Sequence, residues 1–442
     1  MNEPTVTDAM ARLGSLAGYG LDIHPERCVR VRNRHASCRR CADACTSGAL
    51  SFGEGELLVS QQLCVGCGTC ATVCPTCALE ACHPNDADLL TRADAALAAQ
   101  RAGAAHAVCS EEEVCDETCV GAAPADAVAQ RGAGAIPCVT FACGEAVRRD
   151  PAACAQAGAI ELICLSRIDE SLAVELFARG AQRVRLVHGA CEGCPRAAGI
   201  RSAHLVRDTV DAIAQVWGFA ERLELVDVGA LGDASSAPQV SSAPQAERPS
   251  LDEYLRIPGQ TTAASSSVDP DSAPAEGAHV VASGDTVRAT YRPVHVGADG
   301  TLPHFVPLRR HRLLDALDCL GAPADATLDT RLWGHVRINE DLCQSCKMCA
   351  VFCPTGALQK FTDPDGRTGV EHYVAECVHC GLCQDICPAH AIVSETRVPA
   401  RQLADGDTER YDMPDPVWWT GPDQILRRMR PQITGNDVRH SY

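Results

Sequence analysis

Cys343-Gln344-Ser345-Cys346-Lys347-Met348-Cys349-Ala350-Val351-Phe352-Cys353-Pro354 decides how this chain is read. Its cysteines follow C-x2-C-x2-C-x3-C, with a proline directly after. Cys377, Cys380, Cys383 and Cys387 repeat the spacing before Pro388, and Cys64, Cys67, Cys70 and Cys74 repeat it before Pro75. A fourth set is irregular. Cys28, Cys38, Cys41 and Cys45 have nine residues between the first two members and Thr46 after the last.

The spacing has a mechanical reason. Three thiols two residues apart wrap a loop around one iron–sulfur cube, so that each meets its own iron. The fourth lies beyond a turn and points away, toward a neighbouring cube. Proline then redirects the chain at a point where no backbone donor is needed. Ala49-Leu50, Ala78-Leu79, Ala357-Leu358 and Ala391-Ile392 stand at one offset from the four fourth cysteines, which would lay an aliphatic side chain over each cube on a short strand. Four copies of one unit, in two pairs, form an internal repeat. The alternative is structural zinc, which usually joins two separated C-x2-4-C knuckles and suits three closely spaced cysteines plus Cys-Pro poorly.

Around these sets the chain has 442 residues, 28 cysteines and a formal charge of −18. That acidity argues against nucleic acid, whose binders need basic surface. It suits either solubility or electrostatic docking of a protein partner. No run of eighteen apolar residues suggests a transmembrane helix, and Met1 to Gly20 lacks the pattern of a secretory signal. A cysteine-rich chain of that kind is expected to be cytoplasmic and metal-binding rather than disulfide-bonded.

Each pair of sets resembles a bacterial two-cluster ferredoxin domain, over about 60 residues in each half. The resemblance implies that Cys343, Cys346, Cys349 and Cys387 hold one [4Fe–4S] cluster, and Cys377, Cys380, Cys383 and Cys353 the next. In the first half, Cys64, Cys67, Cys70 and Cys45 would hold one, and Cys28, Cys38, Cys41 and Cys74 the other. Four [4Fe–4S] clusters follow. Cys28 is the least regular ligand, with Cys77 and Cys82 as competitors.

Between the halves, Ile136 to Ala142, Ile160 to Leu165, Val184 to His188 and Leu223 to Val228 read as strands. Residues 169–179 read as a helix, and Val206, Val210, Ile213 and Trp217 mark a second that stops near Gly218. This alternation implies a parallel sheet with its ligands beyond the carboxyl ends of the strands. Cys143, Cys164, Cys191 and Cys194 fall at those ends. The stretch resembles the delta subunit of methyl-viologen-reducing hydrogenase, through Cys164, Arg167, Ile168 and Asp169 and the Gly189-Ala190-Cys191-x-x-Cys194 loop. The resemblance implies a [2Fe–2S] cluster on Cys143, Cys164, Cys191 and Cys194, with Cys138 as a spare, and electron delivery to a partner enzyme. The other reading is a set of buried thiols in an ordinary α/β domain.

The expected class is therefore α+β multidomain, with two ferredoxin-like dicluster domains and one α/β parallel-sheet domain. Residues 1–95 form the first dicluster domain, 96–230 the α/β domain, 231–300 a flexible linker, 301–400 the second dicluster domain and 401–442 a tail. The linker reading rests on the Ser-, Ala- and Pro-rich stretch 232–276, which would let the second dicluster domain reorient. Leu313, Leu317 and Leu320 mark a helix before the last domain. Cys109, Cys115 and Cys119 sit among acidic residues and are not assigned a site. Trp418 and Trp419 are candidates for anchoring a partner.

No Walker A loop, dinucleotide fingerprint or Gly-x-Ser-x-Gly elbow is present, and His188 and His379 are expected to be structural or to support the ligands of a site. The expected function is an electron-relay subunit of an oxidoreductase complex, partnered by a flavoprotein, hydrogenase, formate dehydrogenase or heterodisulfide-reductase-like protein. Its rivals are an enzyme reducing a disulfide or small acceptor at the middle cysteines, and a zinc scaffold.

Overall fold

The computed structural model describes residues 21–109, 136–231, 278–283, 286–291, 297–298 and 300–413. The low-complexity stretch 232–276, Cys115, Cys119, Trp418 and Trp419 lie outside the described residues.

The repeat is a structural unit. In all four sets the third cysteine sits in a short helix: Arg40–Asp43, Thr69–Val73, Met348–Val351 and Leu382–Asp385. The third residue after each fourth cysteine turns the chain at positive φ, and Gly48, Cys77, Gly356 and His390 fill that position. The strand expected next then begins, at Leu50, Leu79, Leu358 and Ile392. Each Ala and the aliphatic residue after it is buried.

The two halves share a strand plan. Leu21–Ile23 pairs antiparallel with Leu79–Ala81, as His335–Ile338 does with Ile392–Glu395. Leu50–Gly53 pairs with Glu56–Ser60, as Leu358–Thr362 does with Thr368–Tyr373. Each second hairpin is extended by a distant strand. In the first half it is Thr286–Tyr291, itself paired with Ala278–Ser283.

The linker expected over 231–300 is therefore not uniform. Thr286, Val287, Arg288, Ala289, Thr290 and Tyr291 alternate as a half-buried strand does, and Ala289 and Tyr291 close over the first dicluster core. In the second half the added strand is Thr408–Asp412, so the expected tail 401–442 begins inside the fold. Tyr411 Oη donates to Val336 O at 2.8 Å and fastens it.

The middle domain is a four-stranded parallel sheet. Its order is Ile160–Leu162, Cys138–Cys143, Arg183–His188, Arg222–Asp227. Helices Glu170–Ala178 and Ala198–Trp217 match the expected periodicity, and Gly218 closes the second at φ 74°. The boundary expected at residue 95 falls inside one helix, Asp86–Cys109. Leu89, Leu90, Ala93 and Leu97 on that helix join the core of the parallel sheet, so the helix belongs there.

The helix expected around Leu313 spans Leu308–Leu320. It packs on Glu170–Ala178, and Leu313, Ala316 and Leu317 enter the same core together with Trp333 and Val398. The second dicluster domain is thus seated on the middle domain rather than tethered apart from it. A buried ion pair fixes the seat. Arg331 Nε and Nη2 donate to both carboxylate oxygens of Glu170, at 2.9 and 2.8 Å, and Nη2 reaches Thr72 O of the first half at 3.1 Å. Arg312 pairs with Glu175 at 2.6 Å and with Asp86.

Removing one partner of a buried pair strands the other charge, at a cost of roughly 3–5 kcal/mol. Glu170→Ala should therefore lower the melting temperature and expose the joint at Arg331 to limited proteolysis. Glu170→Ala combined with Arg331→Leu should recover part of the loss. Equal stability of Glu170→Ala and the parent chain would contradict this role.

Candidate iron–sulfur centres

The site cysteines gather as crossed sets, each taking its fourth member from the neighbouring quartet. One cavity is lined by Cys64, Cys67, Cys70 and Cys45. A second is lined by Cys343, Cys346, Cys349 and Cys387. The partner sets are recognised by which charges act on which thiols. Cys41 is pushed well up by burial, then by Cys74, Cys28 and Cys38. Cys383 is pushed well up by burial, then by Cys380, Cys377 and Cys353.

The irregular set keeps the common geometry at its ends. A 3-10 turn, Pro25–Arg27, delivers Cys28 at φ −71°, ψ 117°, just as Val374–Glu376 delivers Cys377 at φ −72°, ψ 118°. The inserted residues form a helical turn, Val29–Arg32, before the chain returns at Cys38. One difference marks the insertion. Gly68, Lys347 and Gly381 precede the regular third cysteines with positive φ, whereas Arg39 takes φ −132°.

Cys77 is not an equivalent competitor for Cys28, because it fills the repeat's turn position. Thr46 also has a use in place of proline: its Oγ1 accepts from Ala198 N of the middle domain at 3.3 Å. His379 is a turn residue as well, with φ 48° in the position of Gly66 and Ser345.

The middle cysteines meet at the carboxyl ends of the parallel strands. Cys143, Cys164, Cys191 and Cys194 line one cavity with Ile163 and His188. Cys143 ends the central strand, and its sulfur accepts from Ala146 N at 3.4 Å. Cys191 is pushed up to about 11 by burial, then by Cys143, Cys164 and Cys194. Cys138 starts that same strand, so it lies at the opposite end of the sheet and cannot serve as the spare. Gly199 is required by close packing: a Cβ there would fall 2.1 Å from Cys164 Sγ. Sequence periodicity gives no signal for this glycine, because the contact runs from the start of the Ala198–Trp217 helix to a distant loop.

These sets fit a multi-iron group better than one ion. Three of them surround a cavity lined by four thiols. A cube meets its thiolates at separate irons. Backbone donors aim at the sulfurs, with Ala78 N to Cys74 Sγ and Ala391 N to Cys387 Sγ both at 3.3 Å.

Comparison with known proteins matches residues 338–391 to the 4Fe-4S dicluster domain and 57–80 to the 4Fe-4S binding domain. Pyruvate synthase subunit PorD of Methanocaldococcus jannaschii is 33% identical over 65 residues, 14% of this chain and 71% of PorD. The chain belongs to the 4Fe–4S ferredoxin-type proteins. Electron transport protein HydN of Escherichia coli is 44% identical over 48 residues, 10% of this chain and 27% of HydN. Formate hydrogenlyase subunit 2 of Escherichia coli is 43% identical over 49 residues, 11% of this chain and 23% of that subunit. The chain thus spans about a quarter of the length of these two relatives. No solved structure matches it significantly.

Both ferredoxin-type domains are of the [4Fe–4S]-binding kind, and several of their thiols are held above the ordinary range. Burial, then Cys74, raises Cys28 to about 12, and burial, then Cys346, raises Cys349 to about 12. Ligation must therefore displace protons, which couples cluster loading to the fold.

The loop carrying Cys28 is braced by His24. Burial pulls this imidazole down, but its hydrogen bonds to the Glu26 and Glu80 carboxylates outweigh that and raise it to about 9. A raised folded value contributes stability that is complete below the unfolded value, near 6.5, and is lost as pH rises through about 9. Melting temperature of the loaded protein should fall between neutral pH and pH 9.5, and His24→Gln should flatten that part of the profile. An unaltered profile in His24→Gln would remove His24 from the account.

Proposed function

We propose that this protein is an electron-relay subunit of a cytoplasmic oxidoreductase complex, carrying four [4Fe–4S] clusters and one [2Fe–2S] cluster. The observation that carries the reading is the grouping of the site cysteines. Three sets of four thiols line a cavity each, and Cys74 and Cys353 act on the thiols of two more. Bound clusters would supply one-electron transfer, with potentials set by hydrogen bonds and exposure.

The chain's own residues do the rest. The thiols ligate, backbone N–H groups donate to sulfur, and the repeated Ala and aliphatic pairs keep water from the cubes. The [2Fe–2S] assignment to Cys143, Cys164, Cys191 and Cys194 rests on their common cavity and on the resemblance to the hydrogenase delta subunit. The names of the relatives, an electron transport protein, a formate hydrogenlyase subunit and a pyruvate synthase subunit, support partners that are themselves redox proteins. A hydrogenase, a formate dehydrogenase or a heterodisulfide-reductase-like flavoprotein fits that description. Among the described residues no helix is long and apolar enough to cross a membrane.

Anaerobically purified protein should contain about eighteen irons per chain, from four cubes and one two-iron centre. A colourless protein holding only zinc would end this reading. Gly199→Val should abolish the [2Fe–2S] EPR signal while the cubane signals persist, although it removes no ligand. Cys164→Ala should do the same. Persistence of that signal in Cys164→Ala would place the two-iron centre elsewhere.

A further inference from the structure

Contacts link neighbouring cysteine sets, and one of the joints lies between the two ferredoxin-type domains. The α/β set adjoins the set of Cys45, Cys64, Cys67 and Cys70. Ser166 Oγ donates to Cys67 O at 2.7 Å, and Arg196 Nε donates to Val65 O at 3.0 Å. At the joint between the domains, Cys38 and Cys380 pack against one apolar cluster formed by Val29, Ala36 and Leu382. Ser37 N donates to Asp385 Oδ2 at 2.7 Å, and Arg40 Nη2 donates to His379 O at 2.8 Å. The outer set of Cys343, Cys346, Cys349 and Cys387 has Cys346 exposed.

Two buried guanidinium groups flank the joint. Arg32 is 8% exposed and rises from the Cys28 loop, its Nη1 donating to Glu26 O at 3.0 Å. Its Nε and Nη2 have no hydrogen-bond partner among the described residues. The aromatic rings of Tyr291 and Phe305 lie 6.0 Å from it. Burial pushes this group down, and the charges of Tyr291, Cys353, Cys380 and Glu26 push it back up. Arg310 is 5% exposed, lies 4.7 Å over the Trp333 ring, and points Nη2 at Cys377 O, 3.5 Å away. Its Nε and Nη1 are likewise without partners among the described residues.

Burying a charge without a full set of partners is costly. Both guanidiniums bear that cost beside one set: Cys353, Cys377, Cys380 and Cys383. In two of the other sets carboxylates stand against the cations: Arg40 acts on Cys38, but so does Asp385. Arg309 reaches Cys74 O, but Asp169 lies 3.7 Å from it and offsets its charge. Glu340 is among the charges acting on Cys343 in the outer set.

Taking up one electron adds one negative charge to a ligated cube, and nearby positive charge favours that reduced state. We propose that the two ferredoxin-type domains form one continuous row of centres through Cys38 and Cys380, in which the set of Cys353, Cys377, Cys380 and Cys383 has the highest potential of the four cubes because Arg32 and Arg310 face it. This rests on the relay reading. Arg32 and Arg310 are positioning residues in it: they set where an electron rests on the row, and the row passes through the first domain on its way from the α/β set to Cys346.

The test is an anaerobic dithionite titration of the full chain, followed by EPR. Cys383→Ala assigns the centre, by the cubane signal that it removes. That signal should be the first of the four cubane signals to appear on reduction of the parent protein. Arg32→Met and Arg310→Met should each move it to lower potential and leave the other three in place. Arg32→Lys should hold it near the parent value, which a purely structural role would not require. If Cys383→Ala removes no cubane signal, the relay reading fails and the inference falls with it. If it removes one that is not the first to appear, or if neither Met variant moves it, only the inference fails.

Discussion

Burying several thiols against one another is the constraint on which this molecule is built. Each buried thiol already resists ionisation, and each neighbour's charge adds to the resistance. Cys28, Cys41, Cys70, Cys349 and Cys383 are all raised for both reasons. Iron would relieve the conflict by taking the thiolates as ligands. The small apolar residues around the sets then become an advantage. Ala49, Ala78, Ala357 and Ala391 are each at most 2% exposed, so the backbone can close over the sulfurs without a side chain in the way.

Exchange of the fourth cysteine makes the pair, not the quartet, the folding unit. Cys74 leaves one loop to join Cys28, Cys38 and Cys41, while Cys45 travels the other way to Cys64, Cys67 and Cys70. The strand pairing Leu21–Ile23 with Leu79–Ala81 draws the first loop and the last turn together, as His335–Ile338 with Ile392–Glu395 does in the second domain. Ligands crossed in this way would make the two loops of a pair rise or fall together and would hold the two sites at a fixed separation.

Much of this was legible in the chain, and the illegible parts share a cause. The regular sets, the strand starts at Leu50, Leu79, Leu358 and Ile392, and the parallel sheet with Cys143, Cys164, Cys191 and Cys194 at its carboxyl ends are local patterns, and spacing carried them. The hairpin ending at Tyr291 was hidden, because its partner Glu56–Ser60 lies far away in the chain and the composition before it is low in apolar residues. The strand Thr408–Asp412 and the helix that crosses residue 95 were hidden likewise. Gly199 and Thr46 owe their roles to contacts made only after folding. Cys77 and Cys138 were misleading for the opposite reason: residue type suggested a ligand, but a turn and a strand direction had already claimed them.

The packing of the second ferredoxin-type domain changes what the linker can do. A tether of low-complexity sequence suggests a domain free to reorient, yet Arg331 is buried between Glu170 and Thr72, and Leu313 and Leu317 share a core with the parallel sheet. Electron transfer falls steeply with distance, so a seat that fixes Cys380 beside Cys38 counts for more than reach. The acidic character of the chain follows the same division. Carboxylates dominate its formal charge of −18, while guanidinium groups occupy the buried joints: Arg309, Arg310, Arg312 and Arg331 from the second half, and Arg32 from the first. An interior crowded with thiolates needs positive charge close at hand, and the delocalised guanidinium is the cation that tolerates burial best.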